Sequence, residues 1–149
     1  MSIKTPAPQV FTSTQESAIK SAIAEAEMLT SGEICLFIDT NCKADPFKKA
    51  SVIFQKLKMH KTVLRNGVLI YLSVSDHKFA IIGDKGINEK VGDDFWNETK
   101  ELMLSYFKNN QISEGLVAGI KKAGESLSQH FPRQHSDQNE IGNEIVFRS

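Results

Sequence analysis

Cysteine is scarce in this chain: two thiols, Cys35 and Cys42, in 149 residues. That is too few for a disulfide-built scaffold. An excess charge of one sign is also missing, because 18 Lys and Arg balance 18 Asp and Glu to a formal net charge of zero. The bulk positive field that nucleic-acid or anionic-membrane binders carry is therefore lacking, and neither partner is expected. No apolar run approaches the roughly 18 residues of a membrane span. The opening, Met1-Ser2-Ile3-Lys4-Thr5-Pro6-Ala7-Pro8, has no apolar core of a secretory signal, so a cytoplasmic domain is expected. The named catalytic motifs are missing too: no G-x-x-x-x-G-K-[ST], H-E-x-x-H, G-x-S-x-G or C-x-x-C occurs. Neither cysteine is followed six residues later by arginine, which removes the thiol-phosphatase loop. The four histidines, His60, His77, His130 and His135, are scattered and read as surface residues.

What is present is a globular pattern, 40% hydrophobic and 24% charged, long enough for one domain with a core. Residues 1–10 read as a flexible arm, residues 11–132 as a single domain and residues 133–149 as a polar, flexible tail in which Ile145-Val146-Phe147 is able to dock. Ser13-Thr14-Gln15-Glu16 has the form of a capping box. Ile19, Ala22, Ile23, Ala26 and Leu29 then recur at helical spacing until Ser31-Gly32. Glu33 to Thr40 is a β-rich run containing Cys35 as a small core residue. Cys42, beside Lys43, reads as a second reduced thiol. Asp45-Pro46 opens another helix, with Phe47, Ala50, Phe54 and Leu57 on one face. Gly67 to Val74 is apolar on both faces and so a central strand. Ser75-Asp76 turns it back into Lys78-Phe79-Ala80-Ile81-Ile82. A loop from Gly83 to Gly92 leads to a helix starting near Asp93 with Phe95, Leu102 and Tyr106 on one stripe and Trp96 as a core anchor. The last helix carries Ile112, Leu116, Ile120, Ala123, Leu127 and Phe131, and Gly115 and Gly119 allow a neighbour to approach closely.

The order predicts an α/β fold, a small mixed sheet of three to four strands sandwiched between helices. The 26 residues from Asn41 to Asn66 contain a helix and suffice for a parallel crossover, while the third strand returns antiparallel. This topology gathers three loops at one end of the sheet: Thr30-Ser31-Gly32-Glu33, Arg65-Asn66-Gly67 and Gly83-Asp84-Lys85-Gly86. Glu27, in the last turn of the first helix, faces the negative end of the helix dipole, and a cation would relieve that conflict. Arg65 and a bound metal are both open as that cation. Asp84 sits between glycines that let the backbone aim oxygens or amides at an ion, or simply caps its own turn. Asp93 and Asp94 open the next helix, with Asp93 explained by capping and Asp94 freer to face the loop. Oxygen donors of this kind suit Ca²⁺ or Mg²⁺.

Thr30-Ser31-Gly32-Glu33-Ile34, Arg65-Asn66-Gly67-Val68-Leu69-Ile70-Tyr71, Ile82-Gly83-Asp84-Lys85-Gly86-Ile87, Phe95-Trp96 and Glu114-Gly115-Leu116 occur in an order that resembles the TPM domain family over about residues 11–132. The resemblance implies a few-stranded sheet between helices and a cleft near the sheet edge that binds a divalent cation, calcium or magnesium. Asp84 is the first candidate ligand, with Glu33, Asn66 and Asp94 assisting and Glu27 and Asp93 nearby. Plant members of the family are associated with acid phosphatase activity and photosystem repair in the thylakoid lumen, and many bacterial members carry a signal peptide and a membrane tail. This chain resembles the soluble bacterial subgroup. Three functions are therefore weighed: divalent-cation binding, a metal-assisted phosphomonoesterase in which Arg65 or Lys85 meets phosphate, and a non-catalytic module binding a protein partner. A monomer is expected.

Overall fold

The computed structural model describes residues 10–92, 94–133 and 145–147. Helix α1 (Ser13–Leu29) is followed by β1 (Glu33–Asp39), α2 (Pro46–Lys56), a 3-10 turn at Met59–Lys61, β2 (Gly67–Ser73) and β3 (Lys78–Gly83). Then come the one-turn helix α3 (Lys85–Asn88), α4 (Asn97–Phe107), α5 (Ile112–Ser128) and β4 (Ile145–Phe147). The four strands form one mixed sheet in the order β3-β2-β1-β4. β1 pairs parallel to β2 with Glu33 opposite Gly67 and Asp39 opposite Ser73, and β3 returns antiparallel with Gly83 opposite Val68.

Alternation along the strands divides the core in two. Ile34, Leu36, Ile38, Val68, Ile70 and Leu72 pack with residues of α1, α4 and α5 on one face. Cys35, Phe37, Leu69 and Tyr71 pack with Ala50, Ile53, Phe54 and Met59 on the other. The expected sheet between helices is the observed one. Burial pushes the Cys35 thiol up to about 12, in keeping with a core residue rather than a nucleophile.

Several local expectations shift. The capping box lies one residue earlier than Ser13 suggested: Thr12 Oγ1 accepts from Gln15 N at 3.1 Å, and Gln15 Oε1 accepts from Thr12 N at 2.9 Å. Phe11, buried in the core, fixes where the chain enters and so hands the cap to Thr12. Within α1, Glu27 is buried, whereas Leu29 is half exposed. Asp45 caps α2 as expected, accepting from Phe47 N at 2.9 Å, but Phe47 is exposed and Ile53 takes its place in the core. The stretch read as a loop after Gly83 contains α3. The next helix begins at Asn97 rather than near Asp93, because Asp94 to Trp96 is a run of turns (Phe95 N to Gly92 O 3.2 Å, Asn97 N to Asp94 O 3.0 Å) ending on buried Trp96. The buried line of α4 passes through Thr99 and Met103, leaving Leu102 and Tyr106 half-buried. Ile145-Val146-Phe147 docks as β4, parallel to β1 opposite Leu36 to Ile38. Residues 1–9 of the expected arm and 134–144 and 148–149 of the expected tail lie outside the described residues.

The glycine spacing of α5 has the expected consequence. A Cβ on Gly119 would stand 2.5 Å from Cγ and Sδ of Met103, a side chain with no exposure. Gly119→Ala is expected to cost about 1–3 kcal/mol by overpacking. Urea denaturation should show Met103→Ala recovering part of that loss when the two are combined, and strictly additive losses would contradict the contact.

Candidate functional site

The three loops meet as the topology requires, and hydrogen bonds join them. Asn66 Nδ2 donates to Ser31 Oγ at 3.3 Å, and Glu33 N donates to Asn66 O at 3.4 Å. Asp84 N donates to Gly67 O at 2.9 Å, and Gly86 N to Arg65 O at 2.8 Å. The last contact explains the second glycine of Gly83-Asp84-Lys85-Gly86: a Cβ on Gly86 would lie 2.2 Å from Leu64 O and 2.6 Å from Arg65 O. No side chain fits between these two loops. At the other flank Ser31 N donates to Phe131 O at 2.9 Å, and Thr30 Oγ1 donates to the same carbonyl.

Asp84 is buried and occupied. Arg65 grips it with a two-pronged contact, Nε to Oδ2 at 2.8 Å and Nη2 to Oδ1 at 3.0 Å. Oδ1 also accepts from Lys85 N at 2.8 Å, so Asp84 caps α3 as well. A bidentate guanidinium–carboxylate pair is geometrically specific. Here it is held by an unusual backbone, since Arg65 has φ of 51°, the left-handed region. The Arg65 guanidinium is held above its ordinary pKa by the hydrogen bond to Asp84.

Glu27 does not take Arg65, whose guanidinium grips Asp84. Glu27 Oε2 accepts from Ile34 N at 2.9 Å. Glu33 N points to β2, so the next amide, Ile34 N, points to the β4 side of β1. Among the described residues β4 pairs opposite Leu36 to Ile38, and the Ile34 amide is satisfied by Glu27. Burial pushes the Glu27 carboxyl up to about 8; the Ile34 N–H bond pulls it down, the charge of Glu33 raises it and Arg133 lowers it. Arg133 also donates to the main-chain oxygen of Glu27 at 3.0 Å.

Asp94 is exposed and accepts from Asn97 Nδ2 at 3.2 Å. Asp93 lies outside the described residues. Of the acids that the sequence suggested would gather, Asp84 already carries a cation, Arg65. Beside it lies a cleft of about 390 Å³ whose walls include Phe54, His60, Arg65, Asp84, Lys85 and Glu89. Sequence reasoning missed His60, which is half-buried rather than on the surface and whose buried Nδ1 finds no hydrogen-bond partner. Its only sequence signal was its place six residues after Phe54, just before the Arg65 loop. Among the described residues no three His, Cys, Asp or Glu side chains gather as a metal-binding group.

Residues 5–126 match the TPM domain family. The chain belongs to that family. Among solved structures, the TPM domain described here is similar to the NMR structure of the BA42 protein from the psychrophilic bacterium Bizionia argentinensis. The two share 44% identity with a TM-score of 0.89, over 94% of this chain and 97% of that one. The fold also matches the N-terminal domain of a P. gingivalis protein at 14% identity and a TM-score of 0.67, covering 85% of this chain and 83% of that one. An N-terminal domain from Corynebacterium glutamicum matches at 11% identity and a TM-score of 0.63, over 100% and 95% respectively. No protein of curated function matches the sequence significantly. Among the described residues no helix of the TPM domain is long and apolar enough to cross a membrane.

The raised Glu27 carboxyl has a definite pH signature. The folded chain keeps a proton up to about 8 that a carboxyl at the ordinary 4.5 loses, so stability falls as pH rises between those values. Glu27→Gln, which keeps an oxygen acceptor for Ile34 N, is expected to flatten that slope and to exceed the wild type in stability at pH 8. Urea melts across pH 4.5–8 with equal slopes for both proteins would contradict it.

Proposed function

We propose that this TPM domain binds a divalent cation, Ca²⁺ or Mg²⁺, where its three loops converge, with Asp84 as the anchoring carboxylate. Glu33, Asn66 and Asp94 are the further oxygen donors. The observation that carries the reading is the bonding of Ser31, Asn66, Gly67, Asp84 and Gly86 into one loop cluster around a buried carboxylate. In kind, the donors fit: carboxylate, amide and hydroxyl oxygens are hard ligands suited to these two ions. In number, they are few, so amide and main-chain oxygens and water complete the shell. A site of that make-up is weak, with Kd of about 10⁻⁴ to 10⁻³ M.

Arg65 enters this proposal as a competitor. Its guanidinium occupies both oxygens of Asp84, yet its side chain is 43% exposed and has room to swing outward. A cation arriving at Asp84 replaces a tethered monovalent charge rather than filling bare acidic space. The remainder of the cleft keeps a second reading open, recognition of a phosphomonoester, because Arg65 and Lys85 line it with His60. That reading stands behind the first. Ser51, the hydroxyl on the same wall, spends its proton on Phe47 O at 3.0 Å and has no base to activate it through that bond.

Isothermal titration with Ca²⁺ and with Mg²⁺ tests the cation proposal. Wild-type protein is expected to give a saturable heat that Asp84→Ala abolishes. Arg65→Gln should tighten binding by roughly threefold, the scale of one exposed ion pair. Heat no greater than buffer for both ions, or identical isotherms for wild type and Asp84→Ala, would refute it.

A further inference from the structure

At the opposite end of the sheet lies a second cavity, of about 210 Å³, that the loop cluster does not use. Leu72 and Val74, at and just beyond the end of β2, form one wall. Leu104, Phe107 and Ile112, at the corner between α4 and α5, form the other, and His77 and Lys108 complete the lining. Phe107 is fixed by an edge-on contact with Phe79, ring centres 5.3 Å apart. The corner is closed by Gln111 N donating to Tyr106 O at 3.0 Å and turned by Asn110 at φ 59°. The cavity is therefore built from fixed elements rather than a loose seam.

We propose that this cavity takes the tail of a small apolar carboxylate, a straight-chain fatty acid of about six to eight carbons, with Lys108 meeting its head group. Size, polarity and charge agree on this class. A volume of 210 Å³ equals that of about seven liquid waters, at about 30 Å³ each, which is the room a short alkyl chain needs. Five of the seven lining residues are aliphatic or aromatic, so water held there lacks the polar partners that would retain it. The two remaining residues are both able to carry positive charge, and no acid lines the cavity. Among the described residues Lys108 forms no ion pair. A cation at an apolar mouth favours an anionic head over a neutral or positive one. A ligand this small binds with modest affinity, high-micromolar to millimolar.

The test is an amide-shift titration of the full chain with sodium octanoate, octan-1-ol and octylammonium, kept below micellar concentrations. Octanoate is expected to shift residues 72–77 and 104–112 in a saturable way, about threefold more tightly than octanol, and octylammonium more weakly than either. Lys108→Gln should bring octanoate down to the octanol value and leave octanol unchanged. Leu104→Trp, a replacement at a rim position already 42% exposed, should fill the cavity and remove both responses, with a dispersed spectrum showing that the fold persists. Shifts scattered over the surface, no shifts, equal binding of octanoate and octanol, or undiminished binding to a folded Leu104→Trp protein would each overturn the proposal.

Discussion

Parallel pairing of β1 with β2, seven residues in unbroken register from Glu33–Gly67 to Asp39–Ser73, is the constraint on which the rest depends. It starts both strands at the same end of the sheet, and so places the turn after α1 beside the turn before β2. The antiparallel return of β3 then delivers Gly83 opposite Val68, one residue from Asp84. A slip of a single residue in this register would turn Ile34, Leu36 and Ile38 away from α1, α4 and α5 and toward α2. It would also separate Glu33 N from Asn66 O. Core and loop cluster are thus specified by the same pairing, the core through which face each side chain takes and the cluster through which ends coincide.

Within that cluster the Arg65–Asp84 pair decides the electrostatics. A carboxylate buried to 6% exposure needs compensation, and it receives both guanidinium donors and the amide that opens α3. The close seating of Gly86 on the main chain of Leu64 and Arg65 brings the two loops near enough for the pair to form. Glu27, on the far side of β1, is handled differently. Its side chain accepts from a strand amide, and its carboxyl is held high enough to be largely neutral near pH 7. These two acids therefore differ in their partners: Asp84 is paired with a cation, and Glu27 is bonded to a β1 amide.

Those differences mark where sequence reasoning reached and where it stopped. Helix and strand periodicities, the crossover length and the hairpin sufficed for the sheet and for the meeting of the three loops, because each depends on chain direction and spacing alone. The partner of Glu27 was out of reach, since a main-chain amide seven residues on leaves no side-chain pattern in the sequence. Capping chemistry placed Asp45 correctly but misplaced the start of α1 by one residue, as Ser13 and Thr12 offer the same hydroxyl and only the burial of Phe11 separates them. The start of α4 was misread because Asp93-Asp94 has the composition of a helix start, while Trp96 and its packing set the actual boundary. His60 was passed over because a lone histidine carries no pattern; its place in the cleft follows from the 3-10 turn at Met59–Lys61.

The central claim is that three loops distant in sequence behave as one cation-responsive unit. It is tested most directly by following backbone amide shifts of the full chain during titration with Ca²⁺. Residues 31–33, 65–67 and 83–86 are expected to shift together along one saturation curve with a common Kd. Independent curves for the three segments, or no movement in any of them at ion concentrations well above a millimolar, would contradict it.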